Sequence, residues 1–410
     1  MSIREREASI RARFSGNKLK TDESTYHFST LDREQDFIKN QFPTRTELDA
    51  YRAYREEWHR RAESMETGDG PLAVIIELVS TCNLQCHMCY TITPEFQAEV
   101  VGAQRILPWD AVCRIIDECV RIGVCSVLFS WRGESMLYRS KGKDGKTRDF
   151  ADVLAYARNK GILEITCLTN GRSMSERLIK RIVQAEPNWL SFSIDGLGQT
   201  YAKIRPALKR EEAEPFDIAM RNLKAIVEER ERQGKSRPQI RTNTIYPPIA
   251  DDPEAYRQAM EEAGVGLVTV NELLDFRGAS LPNAAIIKDW FCQYVFQRLV
   301  VSANGVIMPC PGAHNEELDV ALGRYSGIEK KVVVRNGRCI EIDLPEMTLE
   351  DAWNCNKACS LREAHRKGSR TDIVTCRNCR HGAVKHGVTW IPEDWDMEHM
   401  DWVDRVWRNN

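Results

Sequence analysis

The sequence lacks any apolar run near the roughly 18 residues that a membrane-spanning helix needs, so no span is expected. It also lacks a surplus of one charge. Lys plus Arg numbers 58 against 60 for Asp plus Glu, a net charge of −2. That balance gives no overall drive toward nucleic acid or an anionic membrane, whatever a local patch does. The opening stretch MSIREREASIRARFSGNKLK is charged but has no apolar core behind it, so it does not read as a secretory signal, and a cytoplasmic location is expected. Internal repeats and low-complexity tracts are missing too. What the chain does have is 14 cysteines in 410 residues. A secreted disulfide scaffold would be short and signal-bearing. In a reducing cytosol, clustered cysteines bind metal or do redox chemistry instead.

At about 100–200 residues per domain the length allows two or three domains. Residues 1–70 are polar and charged. LDAYRAYREEWHRRAE (48–63) reads as a helix rich in Arg and Glu, and METGDG with Pro71 breaks it. We read 1–70 as a helical extension on the main domain. From 71 to 284 strands and helices alternate. The strand candidates are 72–80, 124–130, 163–170, 189–195, 239–246 and 266–272. Helical patterns lie between them near 108–122, 149–159, 174–185, 216–233 and 252–263. Gly123, Gly161, Gly234 and Gly264 stand where helix C-terminal caps are expected. Six strands joined by helices predict an α/β fold with a parallel sheet and right-handed crossovers. A doubly wound sheet and a partial (β/α) barrel both fit, and either collects chemistry at the C-terminal strand ends. Residues 285–385 lose this rhythm and hold seven cysteines among short strand-like pieces such as LVVSANGVIM, which reads as a smaller domain built around a metal site. The tail, 386–410, has four Trp within TWIPEDWDMEHMDWVDRVW. It is expected to dock as a helix by its aromatic face, with a lid over the site as the alternative.

The first strand runs directly into TCNLQCHMCY, which sets Cys82, Cys86 and Cys89 in a C-x3-C-x2-C pattern. Three thiolates on one tight loop cap three irons of a [4Fe–4S] cube and leave the fourth iron open to a substrate or cofactor. A structural zinc site wants a fourth ligand. His87 lies inside the loop, but at a spacing unusual for zinc. Zinc and free thiols remain the bland alternatives. CNLQCHMCY resembles the signature of the radical S-adenosylmethionine (radical SAM) superfamily, in which an aromatic residue follows the third Cys. The resemblance extends over about 72–275 and implies a partial (β/α)6 barrel. It also implies that the open iron chelates the methionine amino and carboxylate groups of S-adenosylmethionine. One electron would cleave the sulfonium, and a 5′-deoxyadenosyl radical would take hydrogen from the substrate.

Other residues follow from the same resemblance. WRGES (131–135) resembles the family's Gly-Gly-Glu-Pro element, with Arg132 and Ser135 departing from it. Gly133 there would allow close backbone approach, and Glu134 would accept hydrogen bonds from the SAM ammonium. Asn170 of TNG would bond the ribose or the substrate. Ser193 and Asp195 of SFSIDG resemble positions near the SAM carboxylate and ribose. Arg205 of YAKIRP suits a carboxylate by its forked geometry. Tyr90 would contribute mainly its backbone to the adenine, and Asn243 and Thr244 of RTNT would line the barrel. Each also has a plain reading: a turn residue, a surface ion pair, a packed strand position.

A second set of cysteines lies beyond the barrel. Cys292 and Cys310 are separated by 17 residues, and Cys376 and Cys379 form a C-x2-C in TCRNC. By count, four thiolates suit a fully ligated [4Fe–4S] cluster and tetrahedral zinc equally. Behind a radical SAM barrel this pattern resembles the auxiliary-cluster region called twitch, the shortened form of SPASM, which implies an auxiliary [4Fe–4S] cluster. A full SPASM region would carry two further Cys. Position 385 is lysine and no Cys follows 379, so a second auxiliary cluster is not expected. Cys113, Cys119, Cys125 and Cys167 read as buried small hydrophobes. Cys339, Cys355 and Cys359 read as inert, with a further metal site or a hydrogen-atom donor as alternatives.

The expected activity is radical SAM chemistry on a small polar molecule such as a sugar, aminocyclitol or nucleotide sugar, by oxidation, epimerisation or elimination. A reductant such as flavodoxin or ferredoxin would serve it, with no nucleic-acid or membrane partner. A peptide or protein maturase that oxidises or crosslinks a side chain is the second reading. A non-catalytic iron–sulfur carrier is the third, and Glu134 beside a three-cysteine open site argues against it.

Overall fold

The alternating strand and helix patterns predict six strands, and the computed structural model contains all six. It describes residues 18–20, 25–28, 31–208, 214–245, 247–249, 251–271 and 291–379. The strands are β1 (Ala73–Ile76), β2 (Ser126–Leu128), β3 (Glu164–Thr169), β4 (Trp189–Ser193), β5 (Gln239–Ile245) and β6 (Leu267–Asn271). All neighbouring pairs among them are parallel, and the order runs from β6 to β1 without reversal. A doubly wound sheet needs a reversal point in its strand order. The monotonic order here therefore selects the barrel-type arrangement of the two that the sequence allows. It stays open, because β1 and β6 each pair with something else. Two short strands, Lys18–Lys20 and Thr25–Phe28, extend the sheet antiparallel from β6. The N-terminal segment, expected as a helical extension, therefore also contributes two strands. Its helices are α1 (Leu31–Gln41) and α2 (Arg45–Ser64). The second starts at a capping box between Thr44 and Glu47.

The crossover helices are α3 (Trp109–Arg121), α4 (Phe150–Asn159), α5 (Glu176–Ala185), α6 (Pro215–Arg232) and α7 (Pro253–Glu262). Each falls within two residues of its expected bounds. The residues Gly123, Gly161, Gly234 and Gly264 all have positive φ, between 63° and 86°. They end helices in the left-handed conformation that only glycine adopts at no cost.

After β6 the sheet continues on the other side of β1. Strand β7 (Arg298–Val301) runs parallel to β1 and antiparallel to β8 (Val306–Met308), which leads to β9 (Gly323–Tyr325) and β10 (Glu346–Met347). The cysteine-bearing C-terminal region thus shares a backbone ladder with the first barrel strand, and it adds a separate two-stranded antiparallel sheet of Lys331–Arg335 and Arg338–Ile342. Successive strand side chains face opposite sides, and β1 shows the consequence. Val74 and Ile76 join the large core under the crossover helices. Ile75 faces a second core with Val300, Met308, Leu128, Trp131, Cys310 and Cys376.

One residue inside the apolar run of β1 breaks the pattern. Glu77 is fully buried and takes a bidentate pair from Arg132 at 2.8 and 2.6 Å, while the Ala303 N–H donates to it at 2.9 Å. Arg132 also reaches Glu316 at 2.5 Å and the His314 carbonyl at 3.2 Å. Glu316 in turn pairs with Lys331 and accepts from Asn304 at 3.0 and 3.1 Å. This buried network joins β1, the loop after β2 and the C-terminal region. Removing one member strands the rest without compensation. Arg132→Met is expected to lower the stability of the apoprotein by about 3–5 kcal/mol, measured by denaturant unfolding.

The network also carries a pH signature. Burial alone would raise the Glu316 pKa, but Arg132 and Lys331 outweigh it and hold the carboxyl below its ordinary value of 4.5. The unfolded chain therefore binds this proton more readily than the folded one. The contribution is fully present above pH 4.5 and is lost as pH falls through the lower folded value. Glu316→Gln should destabilise the protein near neutrality, and its deficit against wild type should shrink as pH drops below 4.5. Paired unfolding titrations check this.

Candidate functional site

The loop after β1 carries the first three cysteines, and the chain holds it from two sides. On one side it is stitched to the segment following the short helix Gly198–Ile204. Gln85 N–H donates to Pro206, His87 N–H to Ile204, and Leu208 N–H to Asn83, at 2.9–3.1 Å. This brings the guanidinium of Arg205 to 3.7 Å from Cys86 Sγ. On the other side, the Glu134 N–H donates to the Thr81 carbonyl at 2.9 Å. Gln97 ties the loop down by donating to the Ser80 and Thr91 carbonyls at 2.9 and 2.7 Å.

The turn after β2 comes extremely close. Gly133 has φ +65°, and a Cβ built there would stand 2.4 Å from the Val79 carbonyl oxygen and 2.7 Å from that of Thr81. Glu134 is buried behind it. Its carboxylate accepts from Met136 N–H at 3.0 Å, Thr169 Oγ1 at 2.8 Å and Asn170 N–H at 2.7 Å. All three donors are neutral, and burial raises the Glu134 pKa despite them. The Asn170 side chain donates to Asn83 Oδ1 at 2.8 Å and lies 3.7 Å from Cys82 Sγ. At the end of β4, Asp195 is buried. It accepts the Ile245 N–H at 3.0 Å and pairs with Arg205 at 2.6 Å. Burial works against the Arg205 charge, but Asp195, Cys86 and Tyr201 hold its pKa above the ordinary arginine value.

Burial, followed by the charge of Glu134 and then by Cys86 and Cys89, pushes the Cys82 thiol up to about 12. Burial likewise takes Cys86 to about 12, with Arg205 opposing and Cys89 adding to the rise. The three sulfurs therefore sit within electrostatic reach of one another. Tyr90 is half-buried, edge-on to Phe96 at 5.2 Å. Ser193 is half-buried and stands beside Asn243 in the β4–β5 register. Thr244 turns its hydroxyl to the Ile245 carbonyl.

Sequence reasoning passed over three residues here. Arg172 is buried near Cys82, Cys86 and Tyr201. Tyr201 is fully buried among Cys86, Arg172 and Arg205. Glu77 anchors the β2 loop through Arg132, and a carboxylate within the apolar run LAVIIELVS was its visible signal. Arg172 follows the TNG turn by one residue, a position that proximity to a known motif would have flagged.

The second set of thiols also comes together. Cys292 precedes the β7–β8 hairpin and Cys310 follows it, so the hairpin returns them toward each other. Burial and the charges of Cys292, Cys379 and Cys376 push the Cys310 thiol upward. Burial and Cys379 take Cys376 to about 12. The region touches the β2 turn directly, since Trp131 Nε1 donates to the Pro311 carbonyl at 2.9 Å and its ring stacks on His314.

The remaining cysteines differ in part from expectation. Cys119 and Cys167 are buried, but Cys113 and Cys125 are only half-buried, at positions that open to the surface of a helix and a strand start. Cys339 and Cys359 are exposed, and Cys355 caps the helix it precedes by accepting the Ala358 N–H. The fourteen cysteines form no disulfide. Among the described residues, no three His, Cys, Asp or Glu side chains converge as ligands of one metal ion would. A cube's thiolates bind separate irons and stand farther apart than the ligands of a single ion, so this concerns single-ion sites. No helix among the described residues is long and apolar enough to cross a membrane. The Trp-rich tail and position 385 lie outside the described residues.

An open parallel sheet with three thiols on the loop after its first strand, and a buried Gly-Glu turn after its second, is the arrangement that the radical SAM resemblance implies. Residues 76–229 match the Radical SAM superfamily, a family whose members hold a [4Fe–4S] cluster and S-adenosylmethionine. Among known proteins the chain is similar to the Fe-coproporphyrin III synthase of Methanosarcina barkeri. The two are 27% identical over 156 residues, which is 38% of this chain and 34% of that protein. It is also similar to the PqqA peptide cyclase of Granulibacter bethesdensis, 22% identical over 277 residues, 61% of this chain and 70% of the relative. Among solved structures, anSMEcpe with bound AdoMet superposes with a TM-score of 0.50 at 14% identity, covering 82% of this chain and 96% of that one. At that identity the likeness speaks to the fold.

The residues present fit both groups. The donor set is three thiols on one loop with an arginine against one sulfur. Gly133 lets the β2 turn, with Glu134 behind it, lie directly against the Val79–Thr81 backbone that leads into the cysteine loop. The buried Asn243 Oδ1 and Tyr201 hydroxyl have no hydrogen-bond partner among the described residues, as expected of atoms that a bound ligand would satisfy.

Proposed function

We propose that this chain is a cytoplasmic radical SAM enzyme acting on a small polar substrate such as a sugar, aminocyclitol or nucleotide sugar. The reaction would be an oxidation, epimerisation or elimination. A cluster on Cys82, Cys86 and Cys89, reduced by a flavodoxin or ferredoxin, would supply the electron that cleaves S-adenosylmethionine to the hydrogen-abstracting 5′-deoxyadenosyl radical. The observation that carries this reading is Glu134, a buried carboxylate held by neutral donors beside Cys82. A ligand ammonium there would supply the charged partner that this buried carboxyl lacks among its three hydrogen-bond donors. Gly133 lets the β2 turn close on the start of the cysteine loop and so places Glu134 for the ligand, while Asp195 and Arg205 hold each other in place for the ribose and carboxylate. Asn170 after β3, Ser193 on β4 and Asn243 on β5 supply further hydrogen bonds, and Tyr90 offers its backbone to the adenine. Polar groups at these strand ends, buried away from water, suit a small hydroxylated substrate.

In the same reading residues 71–284 handle S-adenosylmethionine, with 1–70 as an extension. Residues 285–385 hold an auxiliary [4Fe–4S] cluster on Cys292, Cys310, Cys376 and Cys379. That cluster would accept the electron released when a substrate radical next to oxygen loses a proton to become a ketone. A second reading, a peptide or protein maturase, draws on the similarity to the PqqA peptide cyclase over 61% of the chain. The test is anaerobic incubation with S-adenosylmethionine, dithionite and candidate substrates. Stimulation of 5′-deoxyadenosine by nucleotide sugars or aminocyclitols above the substrate-free level supports the first reading. Stimulation only by short peptides encoded beside the gene replaces it with the second.

A further inference from the structure

The helix Asn356–Arg366 follows Cys355 and includes Cys359, but what it delivers to the second thiol set is His365, in its last turn. His365 is 3% exposed. Its Nδ1 accepts the backbone N–H of Cys292 at 3.0 Å. A ring nitrogen that accepts carries no proton, so the single N–H of the neutral imidazole is on Nε2. That atom stands 3.6 Å from Cys376 Sγ, within the range of an N–H···S hydrogen bond. One side chain thus bridges two of the four cysteines, one from before the β7–β8 hairpin and one from the C-x2-C. Arg370 fixes the same corner by donating to the Cys376 carbonyl at 2.7 Å.

We propose that His365 is a positioning residue of the auxiliary cluster that sets its reduction potential, holding the Cys292 backbone and donating its Nε2–H to the Cys376 thiolate. This rests on the auxiliary-cluster reading above. Reduction adds one electron to the cube and spreads negative charge onto its sulfur ligands. A donor aimed at a ligand sulfur stabilises that more negative state, so the potential lies higher than for the same four thiolates without it. No bond is made or broken, and the proton stays on Nε2. A cluster poised upward in this way is a better acceptor for an electron leaving a substrate radical.

The test uses the full chain with Cys82, Cys86 and Cys89 all changed to alanine, so that the auxiliary cluster is the one observed. Iron is counted after anaerobic reconstitution, and the cluster is titrated with dithionite under electron paramagnetic resonance. His365→Phe, which removes the donor, should shift the midpoint to more negative potential. His365→Gln, which keeps an amide N–H, should fall between the two. An unchanged or more positive midpoint in His365→Phe overturns the proposal. Should His365→Phe fail to load, a midpoint in His365→Gln more negative than the parent supports it and any other overturns it. Failure of both to load, while Cys359→Ala on the same helix loads, also overturns it by making His365 a structural requirement. Absence of iron in the parent itself would instead reject the auxiliary cluster, before any potential is read.

Discussion

Replacing Cys86 by alanine is expected to abolish 5′-deoxyadenosine formation and to halve the iron of the reconstituted protein, from about eight per chain to about four. The sulfur of Cys86 is the most enclosed of the three, with Arg205 against it and the Ile204 and Pro206 carbonyls pinning the loop on either side. Two remaining thiols cannot hold three corners of a cube. The fourth iron then has no fixed position relative to Glu134. The retained iron should belong to the four-cysteine set, so the variant should still show one reducible cluster. Cys359→Ala, at an exposed helix position, serves as the control and should keep both the iron and the activity. Unchanged 5′-deoxyadenosine formation in Cys86→Ala would reject the enzyme reading, and unchanged iron would reject the ligand assignment.

Local patterns carried the strands, the crossover helices and the glycine caps, because each is decided by residues a few positions apart. The three-cysteine loop was legible for the same reason. What escaped was decided across the chain. The choice between a doubly wound sheet and a barrel rests on strand order, which periodicity does not encode. The continuation of the sheet from β1 into β7 joins residues more than 200 positions apart. Arg132 stands out in the sequence only as a departure from a family pattern. In the fold it is the hub that ties Glu77 and Glu316 together, which explains why a cation replaces a glycine there. His365 has no signal at all. Neither its neighbours nor its spacing from any cysteine suggests that the last turn of a helix returns to Cys292 and Cys376. The C-terminal region drew attention through Cys355 and Cys359, yet one of these caps a helix and the other faces solvent.

Gly133→Ala is the second substitution with a large expected effect, and its cause is steric. At φ +65° an alanine costs about 1–2 kcal/mol in backbone strain before any contact is considered. The new methyl would also stand 2.4 Å from the Val79 oxygen and 2.7 Å from both Ser80 C and Thr81 O. All three are backbone atoms, so no side chain can rotate away to make room. The β2 turn or the start of the cysteine loop must shift instead. That breaks the Glu134 N–H bond to Thr81 and moves the Glu134 carboxylate away from Cys82. Displacing a positioned group by about an ångström costs on the order of 100-fold in rate. Gly133→Ala should therefore cut 5′-deoxyadenosine formation by about that factor. Iron content should fall far less, because the substitution displaces the loop without deleting a ligand. This separates it from Cys86→Ala, where both are lost together. Full activity in Gly133→Ala would mean that the turn does not border the bound S-adenosylmethionine.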